Sequence, residues 1–185
     1  MGEREKVRQP ASRTPAPDGR MKRLAERIEA LAAKDEAALR HGREIAAVRR
    51  AAGAELYAIC AEFVATLNRL LSPGAVVLDP DSAEYAFREN SANLLQINVR
   101  GRILQVEYEA TPELVSTEDF RVPYTLSGSV RAFNQQLLER NTIEEQFIFY
   151  TLEKEKRMWR FFDARTYRSG PFDQEYLVSL MERLV

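Results

Sequence analysis

The sequence predicts an α+β fold: a long N-terminal helical region, an antiparallel β-meander of about six strands, and a C-terminal helix packed on the sheet. Two observations carry the prediction. Apolar residues recur at helical spacing between Met21 and Leu71, and beyond Gly74 the apolar period shortens to two. The strand-like runs then follow one another across short polar or glycine-containing breaks, which suits antiparallel neighbours.

In chain order, residues 1–20 read as a disordered basic arm. Pro10, Pro15 and Pro17 oppose helix propagation there, and little is apolar. From Met21 the composition turns to Ala, Leu, Glu and Arg, all strong helix formers. Leu24, Ile28 and Leu31 make one stripe; Ile45, Val48, Ala52, Leu56, Ile59, Phe63, Leu67 and Leu70 make a longer one. Between them the equivalent positions hold Asp35, Ala38 and Gly42, so the spacing predicts two helical segments with a break near His41–Gly42. The expected organisation is the arm, a helical extension over 21–42 that is a candidate oligomerisation segment, and a single α+β domain over 43–185. Ser72-Pro73-Gly74 ends the helix.

Ala75–Leu78 reads as a first strand, and Asp81 followed by Glu84 as the capping pair of a short helix over 82–89. Leu95, Ile97 and Val99 alternate with polar residues, Arg100-Gly101 makes a tight turn, and Leu104, Val106 and Tyr108 alternate on the way back. This is the clearest hairpin in the chain. Val122, Tyr124 and Leu126 continue the pattern, with Pro123 demanding an edge or bulge and Ser127-Gly128 read as a second turn. Residues 129–139 fit helix or strand, and a strand is preferred because it completes the meander. Residues 143–152 are apolar on both faces, as in a central strand. Residues 153–156 form a polar turn, and Arg157–Asp163 returns. Asp173 is the expected N-cap of the last helix.

Composition bounds the function classes. The formal net charge of −1 conceals an asymmetry: residues 1–50 hold 13 Lys/Arg against 8 Asp/Glu, and the remaining 135 hold 14 against 20. An acidic body disfavours nucleic acid as a partner. Cys60 is the sole cysteine, so no intrachain disulfide forms, and the N-terminus lacks the apolar core of a signal peptide. Glu55, Glu62 and Arg69 interrupt the most apolar helical stretch and argue against a membrane span. A cytoplasmic location is expected.

Candidate chemistry is sparse. Glycine-rich phosphate loops, paired-cysteine motifs, Gly-x-Ser-x-Gly and His-Glu-x-x-His are absent from the sequence, and nothing in it calls for a cofactor or a metal. His41, the sole histidine, reads as a solvated side chain and Cys60 as a small core hydrophobe. Glu107 and Glu109 share a strand face; such pairs can serve acid–base chemistry but more often make a solvated face or pair with arginine. The aromatic- and arginine-rich end of the sheet supplies candidate ligand-binding residues: Trp159, Asp163, Arg165, Tyr167 and Arg168.

The leading functional expectation is a non-catalytic module that associates with itself or another protein through Leu24, Ile28 and Leu31. Its alternative is a small-molecule-binding domain with a cleft between sheet and helices. An enzyme dependent on carboxylates such as Glu107 or Asp163 ranks third, and nucleic-acid binding by the basic arm fourth.

Overall fold

The computed structural model describes residues 17–72, 74–115, 121–140, 143–153 and 156–185. Most of the proposed arm, Pro73 of the helix-ending triplet and Lys154-Glu155 of the polar turn lie outside them. The chain divides into two compact units, residues 1–43 and 44–185.

Helix α1 (Pro17–Leu70) has no break at His41–Gly42. A helical glycine costs about 1 kcal/mol relative to alanine, and the surrounding Ala, Leu, Glu and Arg residues favour helix strongly enough to absorb it. The helix also begins inside the segment expected to be an arm. Pro17 is its first residue, where a missing N–H is no loss because that group has no intrahelical acceptor.

The second unit is built on a seven-stranded sheet in which every strand pairs antiparallel with its sequence neighbours. The strands are β1 (Val76–Asp79), β2 (Asn93–Val99), β3 (Arg102–Val115), β4 (Tyr124–Phe133), β5 (Glu144–Leu152), β6 (Arg157–Asp163) and β7 (Arg168–Pro171). A one-turn 3-10 helix, Ala83–Tyr85, stands where a longer helix was expected; its cap is Ser82, not Asp81. Arg100 and Gly101 both take positive φ (51° and 85°), which matches a two-residue turn twisting with its strands. The Asn98 Oδ1 accepts from the Gly101 N–H at 2.8 Å and closes it.

Two sequence readings fail within β4. Ser127-Gly128 is no turn: both lie mid-strand, in register with Glu109 and Tyr108. A Cβ at Gly128 would fall 2.7 Å from the Tyr108 Cα and Cβ and closer still to the Glu107 carbonyl oxygen. The glycine is there because β3 passes too close for any side chain, not because the chain reverses. Residues 129–139, preferred as strand, divide: β4 continues to Phe133, then Asn134 caps a short helix α2 (Gln135–Glu139) by accepting from the Leu137 N–H at 3.0 Å. Strand β7 is one strand more than expected. It is four residues long and carries Gly170 and Pro171, so neither alternation nor propensity reveals it.

One sheet face is packed by the 44–70 part of α1 and by α3 (Gln174–Glu182). Ala52, Leu56, Cys60 and Phe63 recur every three or four residues and bury against Leu95, Ile97, Leu104, Val106, Leu126 and Ile148. Polar bonds pin the register of helix on sheet. The Trp159 Nε1–H donates to the Ala52 carbonyl at 2.8 Å, and Gln174 Nε2 to the Ile59 carbonyl at 2.7 Å. Asn68 exchanges two bonds with the Val76 backbone. Arg49 reaches the Thr125 hydroxyl, the Glu89 carboxylate and the Thr111 carbonyl. Asp173 caps α3 as expected, accepting from the Tyr176 N–H at 3.0 Å.

Candidate functional site

Taken by itself, the first unit presents helix with every described side chain exposed. Leu24, Ile28 and Leu31 are 51%, 58% and 59% exposed, and Met21 and Leu39 are exposed too. The stripe identified from spacing is thus an apolar surface facing water.

The five residues named at the sheet end occupy different settings. Trp159 is fully buried on the helix face, edge-on to Tyr108 and Tyr150, and is a core residue. Asp163 is buried at the end of β6 and closes the turn into β7, accepting from the Arg165 N–H at 3.0 Å. Burial pushes its carboxyl up, but bonds from the Arg165 backbone and from Thr166, with the Arg165 charge, outweigh that and hold it low. Arg165 is exposed and pairs with Glu144 at 2.9 Å, which draws the Glu144 carboxyl below its ordinary range. Tyr167 sits at φ 54°, 71% exposed, its ring edge-on to Phe162 at 6.2 Å. Arg168 begins β7 in register with Asp163 and is exposed.

What the sequence reasoning missed lies on the opposite sheet face. A register shift between Tyr124 and Leu126 puts one extra residue in β4 relative to β5. That bulge turns Thr125 to the helix side, where Arg49 binds it, and turns Tyr124 to the other. There Tyr124, Phe149 and Phe162 form a second, smaller apolar cluster.

Beside this cluster runs a trough of about 570 Å³ along β4. Its floor is Ser127-Gly128-Ser129, whose small side chains leave the space open. Pairing places Glu107, Ser129 and Phe147 side by side across three strands, and Glu109, Ser127 and Phe149 in the adjacent row. Strand alternation therefore makes one wall acidic, on β3, and the other aromatic, on β5. Arg131 closes one end: it binds Glu145 at 2.8 Å and stands 3.9 Å from Glu107. A hydrogen bond from Ser129, aided by Arg131, holds the Glu145 carboxyl below its ordinary range. The trough was legible only in part. The shared face of Glu107 and Glu109 was read correctly, but taking Ser127-Gly128 for a turn removed the floor between the walls.

His41 is exposed on α1. Cys60 is completely buried, and burial pushes its thiol up to about 12, far from thiolate chemistry near neutral pH. Among the described residues no three His, Cys, Asp or Glu side chains are grouped as metal ligands, and no helix is long and apolar enough to cross a membrane. No protein-family model matches the chain, and no similar sequence among curated proteins or similar fold among solved structures was found.

Proposed function

We propose that this chain is a non-catalytic interaction module, cytoplasmic, that associates with copies of itself through the first part of α1. The observation that carries the reading is the exposed stripe of Leu24, Ile28 and Leu31. With Met21 it follows a 3-4-3 spacing, which places Met21 and Ile28 at one seam position of a heptad and Leu24 and Leu31 at the other. Ile and Leu in that alternation favour a two-stranded parallel pairing. Continued onward, the same register meets Asp35, Ala38 and Gly42, so the strongest contact falls over residues 21–31.

Among the described residues, the carboxylates and the thiol singled out from the sequence have structural settings. Glu107 is held near Arg131, Asp163 braces a turn, and the thiol is buried. A lone unpaired cysteine suits a reducing compartment. Light scattering coupled to size exclusion tests the proposal on the full-length chain. The wild type elutes as a dimer or higher multiple at tens of micromolar, and Ile28→Asp elutes as a monomer with its sheet signal intact. A monomeric wild type at that concentration overturns the reading.

A further inference from the structure

We propose that the trough on the sheet face opposite α3 is a binding site for a small organic cation carrying a flat, apolar body, such as an aryl amidine or aryl amine. The proposal rests on the walls and does not depend on self-association through α1.

Size comes first. Adjacent strands lie about 4.8 Å apart, so the β3 and β5 walls stand roughly 10 Å from each other across β4. Serine and glycine on β4 leave that width unfilled, and about 570 Å³ lies within the range of small-ligand sites. That width is enough for a single aromatic ring.

Charge selects the sign. Glu107, Glu109 and Glu145 meet a single guanidinium, Arg131. That guanidinium is bonded to Glu145 by two nitrogens, at 2.8 and 3.0 Å, and leans on Glu107 at 3.9 Å. Glu109 makes no ion pair among the described residues. An anion entering the trough would meet a spent cation and three carboxylates; a cation finds surplus negative charge along the whole β3 wall.

The aromatic wall reinforces the choice. Phe147 is 44% exposed and lies in the same row as Glu107, two strands away, its ring 6.4 Å from that of Phe149. A cation held at Glu107 and Glu109 lies across β4 from Phe147 and Phe149, whose ring faces attract positive charge. Its apolar body covers ring surface otherwise left to water. The Ser127 hydroxyl on the floor can accept from an amidinium N–H.

The test is a titration of the full-length protein, monitored by backbone amide shifts, with benzamidine, benzamide and benzoate. These share one shape and differ in charge. Benzamidine is expected to shift amides of β3, β4 and β5 around Glu107, Ser129 and Phe147 saturably. Benzamide should bind at least about fivefold more weakly, and benzoate not at all. Glu109→Gln and Phe147→Leu, both changes of exposed side chains, should each weaken benzamidine about two- to fivefold while leaving the amide spectrum folded. Ile28→Asp should leave binding unchanged. Three results overturn the proposal: no saturable shift at millimolar benzamidine, equal affinity for benzamide, or shifts that map away from these three strands.

Discussion

Replacing Gly128 by alanine should destabilise the second unit by about 2–6 kcal/mol. The added methyl would lie 2.7 Å from the Tyr108 Cα and Cβ, where ordinary contact is 3.4–4 Å, and the Glu107 carbonyl is nearer still. Relief requires β3 and β4 to part by about 1 Å, which stretches hydrogen bonds near 2.9 Å beyond useful range. Losing about two ladder bonds, at roughly 0.5–1.5 kcal/mol each, adds to about 1–3 kcal/mol of overpacking strain. Against a typical domain stability of about 5–15 kcal/mol, that is a large fraction. Urea unfolding followed by Trp159 fluorescence reads it, since Trp159 is buried in the core on the neighbouring part of the sheet. A midpoint fall of roughly 2 M is expected for a slope near 2 kcal/mol/M. Gly42→Ala is the control. That glycine is helical and the added methyl meets nothing within 4 Å beyond the adjoining backbone of its own helix, so the change should raise helix content and stabilise by up to about 1 kcal/mol. If Gly128→Ala unfolds within about 0.5 kcal/mol of the wild type, then residues 127–128 are a turn after all, and both the long β4 and the trough floor are wrong.

Other consequences follow from the same contacts. Ile28→Asp removes about 1.5–3 kcal/mol of burial from each of two paired helices, so self-association should weaken by at least about 100-fold in sedimentation or native mass spectrometry. Arg49→Met leaves Glu89, the Thr125 hydroxyl and the Thr111 carbonyl without their shared donor. The cost should be about 2–3 kcal/mol by urea unfolding, below that of a fully buried pair because Glu89 is one-third exposed. Trp159→Phe deletes the bond to Ala52 and should cost about 1–2 kcal/mol by thermal or urea unfolding, with no effect on the trough across the sheet. Cys60 should resist thiol reagents in the folded state and react on unfolding. Its folded pKa, about 12, stands above the ordinary 9.0, so the unfolded chain loses its proton first as pH rises. The burial of Cys60 therefore contributes its full stability below pH 9 and loses it between pH 9 and 12, at up to about 1.4 kcal/mol per pH unit. Cys60→Ala should flatten that decline. Above pH 10 the raised Tyr108, Tyr150 and Tyr176 hydroxyls add to it in both proteins.

Local signals in the sequence were enough for the elements whose stability is local. The 3.6-residue stripe marked α1, the alternation around Arg100-Gly101 marked the β2–β3 hairpin, and Asp173 marked the start of α3, because periodicity, turn chemistry and capping each act within a few residues. The same signals placed Leu24, Ile28 and Leu31 on one helical face. Tertiary structure decided the rest. Gly128 and Gly42 look like breaks in a one-dimensional reading. Gly128 is in fact demanded by β3 passing alongside, and Gly42 is carried through by the helix on either side. Strand β7 exists only because β6 supplies its hydrogen-bond partners. The trough joins side chains from three strands, and although Pro123 marks an edge or bulge nearby, nothing local says that the bulge at Thr125 sends Tyr124 to the face away from the helices. Residues far apart in the chain meet at a distance set by strand spacing, and no local periodicity encodes which of them will be opposite one another.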